Sequence, residues 1–245
     1  MSSFSGKTYP TLAESLSNQL TKYQLRQWGF VIIRTTYSSE AKWPEFLAIV
    51  NDGIRSWFLR PQNEARWYDL YDRHVMTVLQ DAATLSDANL ALTARVFTDW
   101  ITSPEAQAER EGTKICDRFM FSPRYHFYIH ADEATVEQVL DQHAKRKAAP
   151  EDSPSRRSRF LYENENLFTV RIVGVSQVMS YQSEIIKEQG PDANTDVIEE
   201  EQDEYELLDM VKRMKVLDIP DLYSVLGDSL DRWYNIYTKG DVCQV

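Results

Sequence analysis

The chain has 245 residues, of which 42% are hydrophobic, 12% aromatic and 27% charged, and these fractions are typical of globular rather than disordered proteins. Lys and Arg together number 27 against 38 Asp and Glu, which gives a net charge of −11. This acidic balance disfavours nucleic acid and anionic membrane surfaces as partners, because both attract basic proteins.

Neither a membrane span nor a secretory leader is evident. Apolar runs such as residues 30–33 fall far short of the ~20 residues that cross a bilayer. The first seven residues lack the apolar centre of a signal peptide. Cys116 and Cys243 indicate two free thiols in a reducing compartment rather than a disulfide scaffold. We therefore expect a soluble cytoplasmic protein.

The first elements alternate between helix and strand. Leucines at helical spacing predict an amphipathic helix over residues 10–26, and the β-branched and aromatic stretch 29–37 predicts a central strand. The clearest helix covers 43–58, with Pro44 in its first turn. Its predicted buried face consists of Trp43, Phe46, Leu47, Val50, Ile54, Trp57 and Phe58.

The middle of the chain is less regular. Residues 66–79 are ambiguous, with a strand expected around 67–71. Ser86 is expected to cap a helix that ends before Pro104. Residues 124–131 predict a strand, and Asp132 is expected to cap the helix that follows, through His143.

The last third completes an α+β pattern. Residues 167–175 predict a strand, the period of two over 208–216 predicts another, and a final helix covers 220–237. We predict one sheet with helices packed on it, a split-βαβ or ferredoxin-like sandwich with extra helices. Residues 1–27 would form an N-terminal helical segment and 28–245 a single domain.

Charge is concentrated in two segments. Residues 196–209 contain eight acidic and no basic side chains, whereas 145–159 contain six basic and two acidic ones. Because neither holds enough apolar surface to offset the cost of ordering, residues 146–160 and 189–203 are expected to be flexible loops. The two segments could dock protein partners, although most charged runs are simply solvated.

The predicted strand 124–131 carries the most promising constellation. Alternation along a strand would place Arg124, His126, Tyr128 and His130 on one face. We expect the two histidines and Tyr128 to be catalytic acid/base groups and Arg124 to bind a ligand anion. The alternative is a solvent-facing row, or buried histidines with satisfied hydrogen bonds. A shared metal is not expected, because residues four apart on a strand are separated by about 13 Å.

Arg34 and Arg171 interrupt apolar strands. A charge in a central strand is costly unless it is paired or directed at a ligand, so both are candidate ligand-binding residues. The alternative is exposure on an open face or pairing with a carboxylate such as Glu165 or Asp209. No glycine-rich phosphate loop occurs, and we expect no cofactor.

Three blocks of the chain occur in the order and spacing of a known family. They are WGFVIIRTTY at 28–37, RYHFYIHAD at 124–132 and WYNIY at 233–237. In these blocks the chain resembles a large uncharacterised family of filamentous-fungal proteins. The resemblance covers most of residues 28–241 and implies a fungal origin, but it implies no activity and no catalytic residues.

Two classes of function follow from these observations. The first is a cofactor-independent enzyme or binder of a small aromatic or polyketide-like molecule, because the chain holds 6 Trp, 13 Tyr and 10 Phe that could line an apolar pocket. If it is an enzyme, a metal- and nucleotide-independent isomerase, cyclase or lyase is expected. The second is a non-enzymatic protein that binds other proteins through segments 196–209 and 145–159.

Overall fold

The structure is a computed structural model that describes residues 11–58, 68–110, 122–148, 169–174, 211–215, 219–228, 238–239 and 242–243. The helices of these residues are α1 (Leu12–Lys22), α2 (Lys42–Phe58), α3 (Tyr68–Asp72), α4 (Ala82–Leu85), α5 (Leu90–Thr102), α6 (Pro104–Arg110), α7 (Glu133–Ala148) and α8 (Ile219–Asp228). The strands are β1 (Val31–Arg34), β2 (Thr77–Leu79), β3 (Phe127–Ala131), β4 (Thr169–Gly174), β5 (Val211–Lys215), β6 (Thr238–Lys239) and β7 (Val242–Cys243).

The seven strands of the described residues form one mixed sheet in the order β2-β1-β3-β4-β5-β7-β6. β1 pairs in parallel with both β2 and β3, whereas β4 is antiparallel to β3 and to β5. The predicted α+β class, with helices packed on one sheet, is confirmed. Because β1 is bonded directly to two parallel neighbours, the order differs from a split βαβ unit, in which another strand separates the parallel pair.

Helices cover both faces of the sheet. On the first face, α1, α2, α7 and α8 pack on alternate residues of β1, β3 and β4, and this larger core contains Leu16, Leu20, Ile32, Phe46, Val50, Ile129, Val136, Ile172, Leu222 and Leu226. On the second face, α4, α5 and α6 cover a core that contains Val31, Ile33, Leu85, Phe97, Ala106, Tyr128 and Val173. Because both faces of β1, β3 and β4 are covered, these strands are mainly apolar rather than alternating between apolar and polar residues.

The structure confirms the strongest helix and the core expected from it. α2 spans Lys42–Phe58, and Trp43, Phe46, Val50 and Trp57 are buried, as is Leu226 of α8. α1 begins with a capping box, in which Thr11 and Glu14 each accept a hydrogen bond from the backbone N–H of the other.

Other expectations need correction. Residues 68–72 form helix α3 rather than a strand. The sequence did not predict this helix, because five residues are too few to show a helical period. Asn89, not Ser86, caps α5 through its contact with the N–H of Leu92. α7 extends to Ala148, so residues 146–148 are helical rather than a loop. Basic residues there are favourable, because the carboxyl end of a helix carries partial negative charge.

The expected strand at 124–131 is shorter than predicted. Pro123–Tyr125 form a 3₁₀ turn and β3 begins at Phe127, because a proline at the first position of a helical turn already has the φ angle that the turn requires. Several predicted features lie outside the described residues. They are residues 149–160 of the first expected loop, the second expected loop 189–203, the acidic run 196–209, and residues 229–237 of the last helix.

Candidate functional site

The parallel strands bring three loops together at one edge of the sheet. β1, β2 and β3 run in the same direction, so the residues that follow Arg34, Leu79 and Ala131 meet at their carboxyl ends. The helix after β1, α2, packs on the first face, whereas the helices after β2 pack on the second. Ligands of open α/β sheets bind at such a point, where neighbouring connections leave to opposite sides.

Arg34 lies at this edge, and its side chain is almost fully buried. Only 5% of the side chain is exposed. Its Nε–H donates to the carbonyl oxygen of Thr36 at 2.8 Å. The guanidinium carbon lies 4.5 Å from the ring centre of Tyr37 and 4.7 Å from that of Trp43. Two aromatic faces and a backbone bond therefore hold the cation in place.

The outer edge of Arg34 meets a carboxylate. Nη2 lies 2.7 Å from Oε1 of Glu40 and Nη1 lies 3.2 Å from Oε2. Nη1 also approaches the side-chain oxygen of Gln80 at 3.4 Å. Glu40 is 73% exposed, so a solvated side chain pairs with a buried arginine.

A small depression opens beside Arg34, between the starts of α2 and α7. We call it the Arg34 depression; its cavity volume is about 10 Å³, and it is lined by Arg34, Thr36, Ser38, Ser39, Lys42, Trp43, Glu133 and Val136. Three hydroxyls, two cations and one carboxylate provide its polar groups, and Trp43 with Val136 provides its apolar wall. Such a mixture of a few convergent polar groups and an apolar wall is typical of small-molecule sites.

The charged groups of the depression already contact one another. Glu133 accepts hydrogen bonds from the hydroxyls of Thr36 and Ser38. These two bonds, helped by Lys42, lower the pKa of the Glu133 carboxyl. Lys42 lies 2.7 Å from Glu137 and 3.7 Å from Glu133, and the bond to Glu137 raises the pKa of Lys42. At neutral pH Lys42 therefore carries a full positive charge and Glu133 a full negative charge.

His130 and Tyr128 do share one face of β3, as predicted, but that face is covered by α5. The hydroxyl of Tyr128 lies 2.8 Å from Oγ1 of Thr93, and Nδ1 of His130 lies 3.4 Å from the same atom. Burial raises the pKa of Tyr128 and lowers the pKa of His130 to about 4, an effect that nearby Asp132 opposes. Both side chains are neutral at pH 7.

Arg171 pairs with Asp132, a carboxylate that was not among the partners expected from the sequence. It lies opposite His130 across β3 and β4, and its Nη1 lies 2.6 Å from Oδ2 of Asp132. Asp132 also caps α7 by accepting from the N–H of Thr135 at 2.8 Å. These bonds lower the pKa of Asp132 against the opposing effect of its burial. The expected capping role of Asp132 is confirmed, and Arg171 joins β4 to the start of α7.

Arg124 lies at the opposite, amino-terminal edge of the parallel strands, where it is fully buried. Its guanidinium donates to both carboxylate oxygens of Glu109, each at 2.9 Å, and to the carbonyls of Gly29 and Val75 at 3.0 and 3.2 Å. A further bond to the hydroxyl of Thr77 uses the fifth N–H. With every donor engaged inside the protein, Arg124 holds the ends of β1 and β2 together.

His126 also lies at the amino-terminal edge. It ends the 3₁₀ turn, and its backbone N–H donates to Pro123. His126 precedes β3, whereas His130 lies near its carboxyl end. Arg124 and His126 are therefore separated from His130 by the length of the strand, and the four residues do not form one row.

Of the six predicted site residues, only Arg34 lines the depression. Arg171 and His130 are cross-strand neighbours near the same edge of the sheet. Sequence reasoning missed Lys42, Glu40 and Glu133 as site residues. The available signal was positional, since hydroxyl and charged residues directly follow β1 and β3, where parallel strands present them together.

Searches of protein-family models, curated proteins and solved structures find no match to this chain. The resemblance to a fungal family therefore remains a prediction. Within the described residues, no group of three or more His, Cys, Asp or Glu side chains could hold a metal ion, and no helix has the length and apolarity to cross a membrane.

Proposed function

We propose that this protein binds a small anionic molecule in the Arg34 depression. One observation carries the proposal: a buried arginine and a half-exposed lysine converge with three hydroxyls on one concavity at the carboxyl ends of parallel strands. Cations and hydroxyls are the donors that recognise carboxylates and other anions.

The size of the depression limits the ligand. Pockets for drug-sized molecules enclose roughly 300–1,000 Å³, whereas this depression has a cavity volume of only about 10 Å³, the space that about one water molecule needs. Only the anionic end of a ligand, such as the carboxylate of a short or one-ring acid, would enter the depression, and the rest of the ligand would lie outside it. The aromatic or polyketide-like ligand expected from the sequence stays a prediction.

The positions of the acid/base candidates favour binding over catalysis. His130 and Tyr128 point to the second face of the sheet and contact α5, whereas Trp43 and Val136 of the depression belong to the first face. A ligand in the depression would be separated from them by the sheet. The alternative of a protein-interaction role stays a prediction, because it depends on segments that lie mainly outside the described residues.

Backbone NMR with benzoate, acetate and succinate tests the proposal. We expect the amide signals of residues 36–42 and 133–136 to shift with at least one acid, while those near Gly29 and Arg124 stay fixed. Lys42→Met should weaken that binding about tenfold, because it removes a charge-assisted hydrogen bond.

Lys145→Met is the matched control. Lys145 is an exposed lysine of α7 that pairs with Asp141 at 2.6 Å, so the variant removes the same charge away from the depression. Binding of all three acids with equal strength in both variants, or no binding by any of them, would contradict the proposal.

A further inference from the structure

We infer that the ligand presents a carboxylate to the outer edge of Arg34 and that Glu40 is an internal competitor which the ligand displaces. This inference rests on the proposed function. It assigns the chemical class of the ligand's anionic group and identifies a residue that sets the affinity of the site.

The receptor is preorganised. Arg34 is held in place, because the carbonyl of Thr36 accepts from its Nε–H and the rings of Tyr37 and Trp43 lie within 4.5 and 4.7 Å of its guanidinium carbon. Only its Nη1 and Nη2 edge is directed towards an exposed partner. A planar fork with two parallel N–H donors matches the two oxygens of a carboxylate, which is the group that Glu40 already places there.

Arg34 holds the carboxylate of Glu40 only weakly. The carboxylate of Glu40 sits on both Nη atoms at 2.7 and 3.2 Å, but 73% of its side chain is in solvent. Exposed ion pairs contribute little free energy, since water competes for both charges. Glu40 lies in the turn between β1 and α2, so its release disturbs no helix or strand.

Exchange of one carboxylate for another leaves the charge of the site unchanged. The ligand brings one negative charge to Arg34 while Glu40 takes its own into solvent, so no additional charge is buried. Glu109 shows the opposite case in this molecule. It contacts Arg124 through the same two-oxygen geometry, but its side chain is only 14% exposed and Arg124 is fully buried, so a ligand has no path to that pair.

An internal competitor lowers apparent affinity by the fraction of time that it occupies the site. Removing an exposed carboxylate competitor should therefore strengthen ligand binding about fivefold, the equivalent of a typical exposed ion pair. The same change should not affect a ligand without a carboxylate.

The test is to titrate Glu40→Gln and the wild type with benzoate and with benzamide, and to measure binding by calorimetry or NMR. We expect benzoate to bind Glu40→Gln about fivefold more tightly than the wild type, and benzamide to show no gain. Glu45→Gln is the matched control, since Glu45 is an exposed acid of α2 and its loss changes the net charge equally. Arg34→Lys should lose the gain, because an ammonium cannot bind two oxygens in one plane.

Each result bears on the inference. Equal benzoate affinity in Glu40→Gln and the wild type overturns the competitor role, and if Lys42→Met still weakens binding, the proposed function stands without it. Equal gains in Glu40→Gln and Glu45→Gln overturn the inference, because they indicate a general effect of charge. Absence of benzoate binding in every variant overturns it as well, whereas binding of acetate or succinate in the depression would preserve the proposed function.

Discussion

Arg34 and Arg124 mark opposite ends of the same parallel strands and use the same chemistry differently. Each is buried, each contacts both oxygens of a glutamate, and each lies against tryptophan, at 4.7 Å for Arg34 with Trp43 and 5.4 Å for Arg124 with Trp100. The difference lies in the partner. Glu40 is 73% exposed and Glu109 only 14%.

This difference separates a structural arginine from a candidate binding arginine. Arg124 also donates hydrogen bonds to the carbonyl oxygens of Gly29 and Val75, so its removal would leave several polar groups without these partners. The outer pairing of Arg34 is with a side chain that water can solvate. Buried arginines are therefore distinguished by the exposure of their carboxylate and not by their own burial.

The largest expected effect is the loss of the Arg124 cluster. Arg124→Met should lower the free energy of unfolding by about 3–5 kcal/mol, because breaking a buried ion pair leaves the other charge without compensation. Urea unfolding measures the change. Arg34→Met should cost about 1–2 kcal/mol, since Glu40 and Gln80 return to water and the bond to Thr36 and the ring contacts are lost. Equal costs for the two variants would contradict the comparison.

Acid should destabilise the protein through His130 at the carboxyl-terminal edge. Its pKa is about 4 in the folded chain against about 6.5 when unfolded, so the unfolded state binds the proton first as pH falls. Stability contributed by the neutral form is present above pH 6.5 and decreases by about 3 kcal/mol as pH falls to 4. Urea unfolding of the wild type and His130→Gln across this range tests it.

His130→Gln should retain part of the acid sensitivity. Burial and the charge of Arg124 lower the pKa of His74 to about 4 as well, so His74 contributes in the same pH window at the amino-terminal edge. An unchanged pH dependence in His130→Gln would show that His130 is not the buried neutral group that the structure describes.

Gly29 tests how tightly the amino-terminal edge is closed. Its φ of +118° suits glycine, and a Cβ there would lie 2.7 Å from the carbonyl oxygen of Val75. Gly29→Ala should therefore cost about 1–3 kcal/mol, measured by thermal or urea unfolding. Gly53 of α2 is the control with the opposite sign, because alanine in a helix interior should stabilise by about 0.5–1 kcal/mol. A neutral Gly29→Ala would indicate a looser edge.

The smallest expected effect is at Glu40. Glu40→Gln should change the free energy of unfolding by less than about 1 kcal/mol, because exposed ion pairs contribute little. The same urea series that measures Arg124→Met can include it. A cost of several kcal/mol would mean that Glu40 is a structural partner like Glu109, and the contrast between the two arginines would disappear.

The elements that the sequence predicted well are those with a long, regular pattern. α2 shows nearly five turns of apolar periodicity, and β1 and β4 are mainly apolar stretches with one arginine each, so the pattern of hydrophobic residues predicts them. The sequence did not predict the 3₁₀ turn at Pro123–Tyr125, because its residues also fit a strand pattern. The proline directly before Arg124 was the signal that could have identified it.

The site was harder to predict because its partners are set by the tertiary fold. Arg34 could be recognised as a costly charge within an apolar strand. Its convergence with Lys42 and Glu133 depends on β1 and β3 being parallel neighbours, which no local pattern specifies. For the same reason the alternative to ligand binding by Arg171 named Glu165 or Asp209 as its partner, whereas the antiparallel register of β3 and β4 brings it to Asp132.

The most direct test of the contrast between the two arginines is a single NMR titration that observes both side chains. In protein labelled with ¹⁵N at arginine Nε, the Nε–H signals of Arg34 and Arg124 can be assigned with the Arg34→Lys and Arg124→Lys variants and followed as benzoate is added. We predict that the Arg34 signal shifts in a saturable manner while the Arg124 signal stays fixed. A fixed Arg34 signal under saturating benzoate, or equal shifts of both signals, would contradict the assignment of Arg34 as the anion receptor.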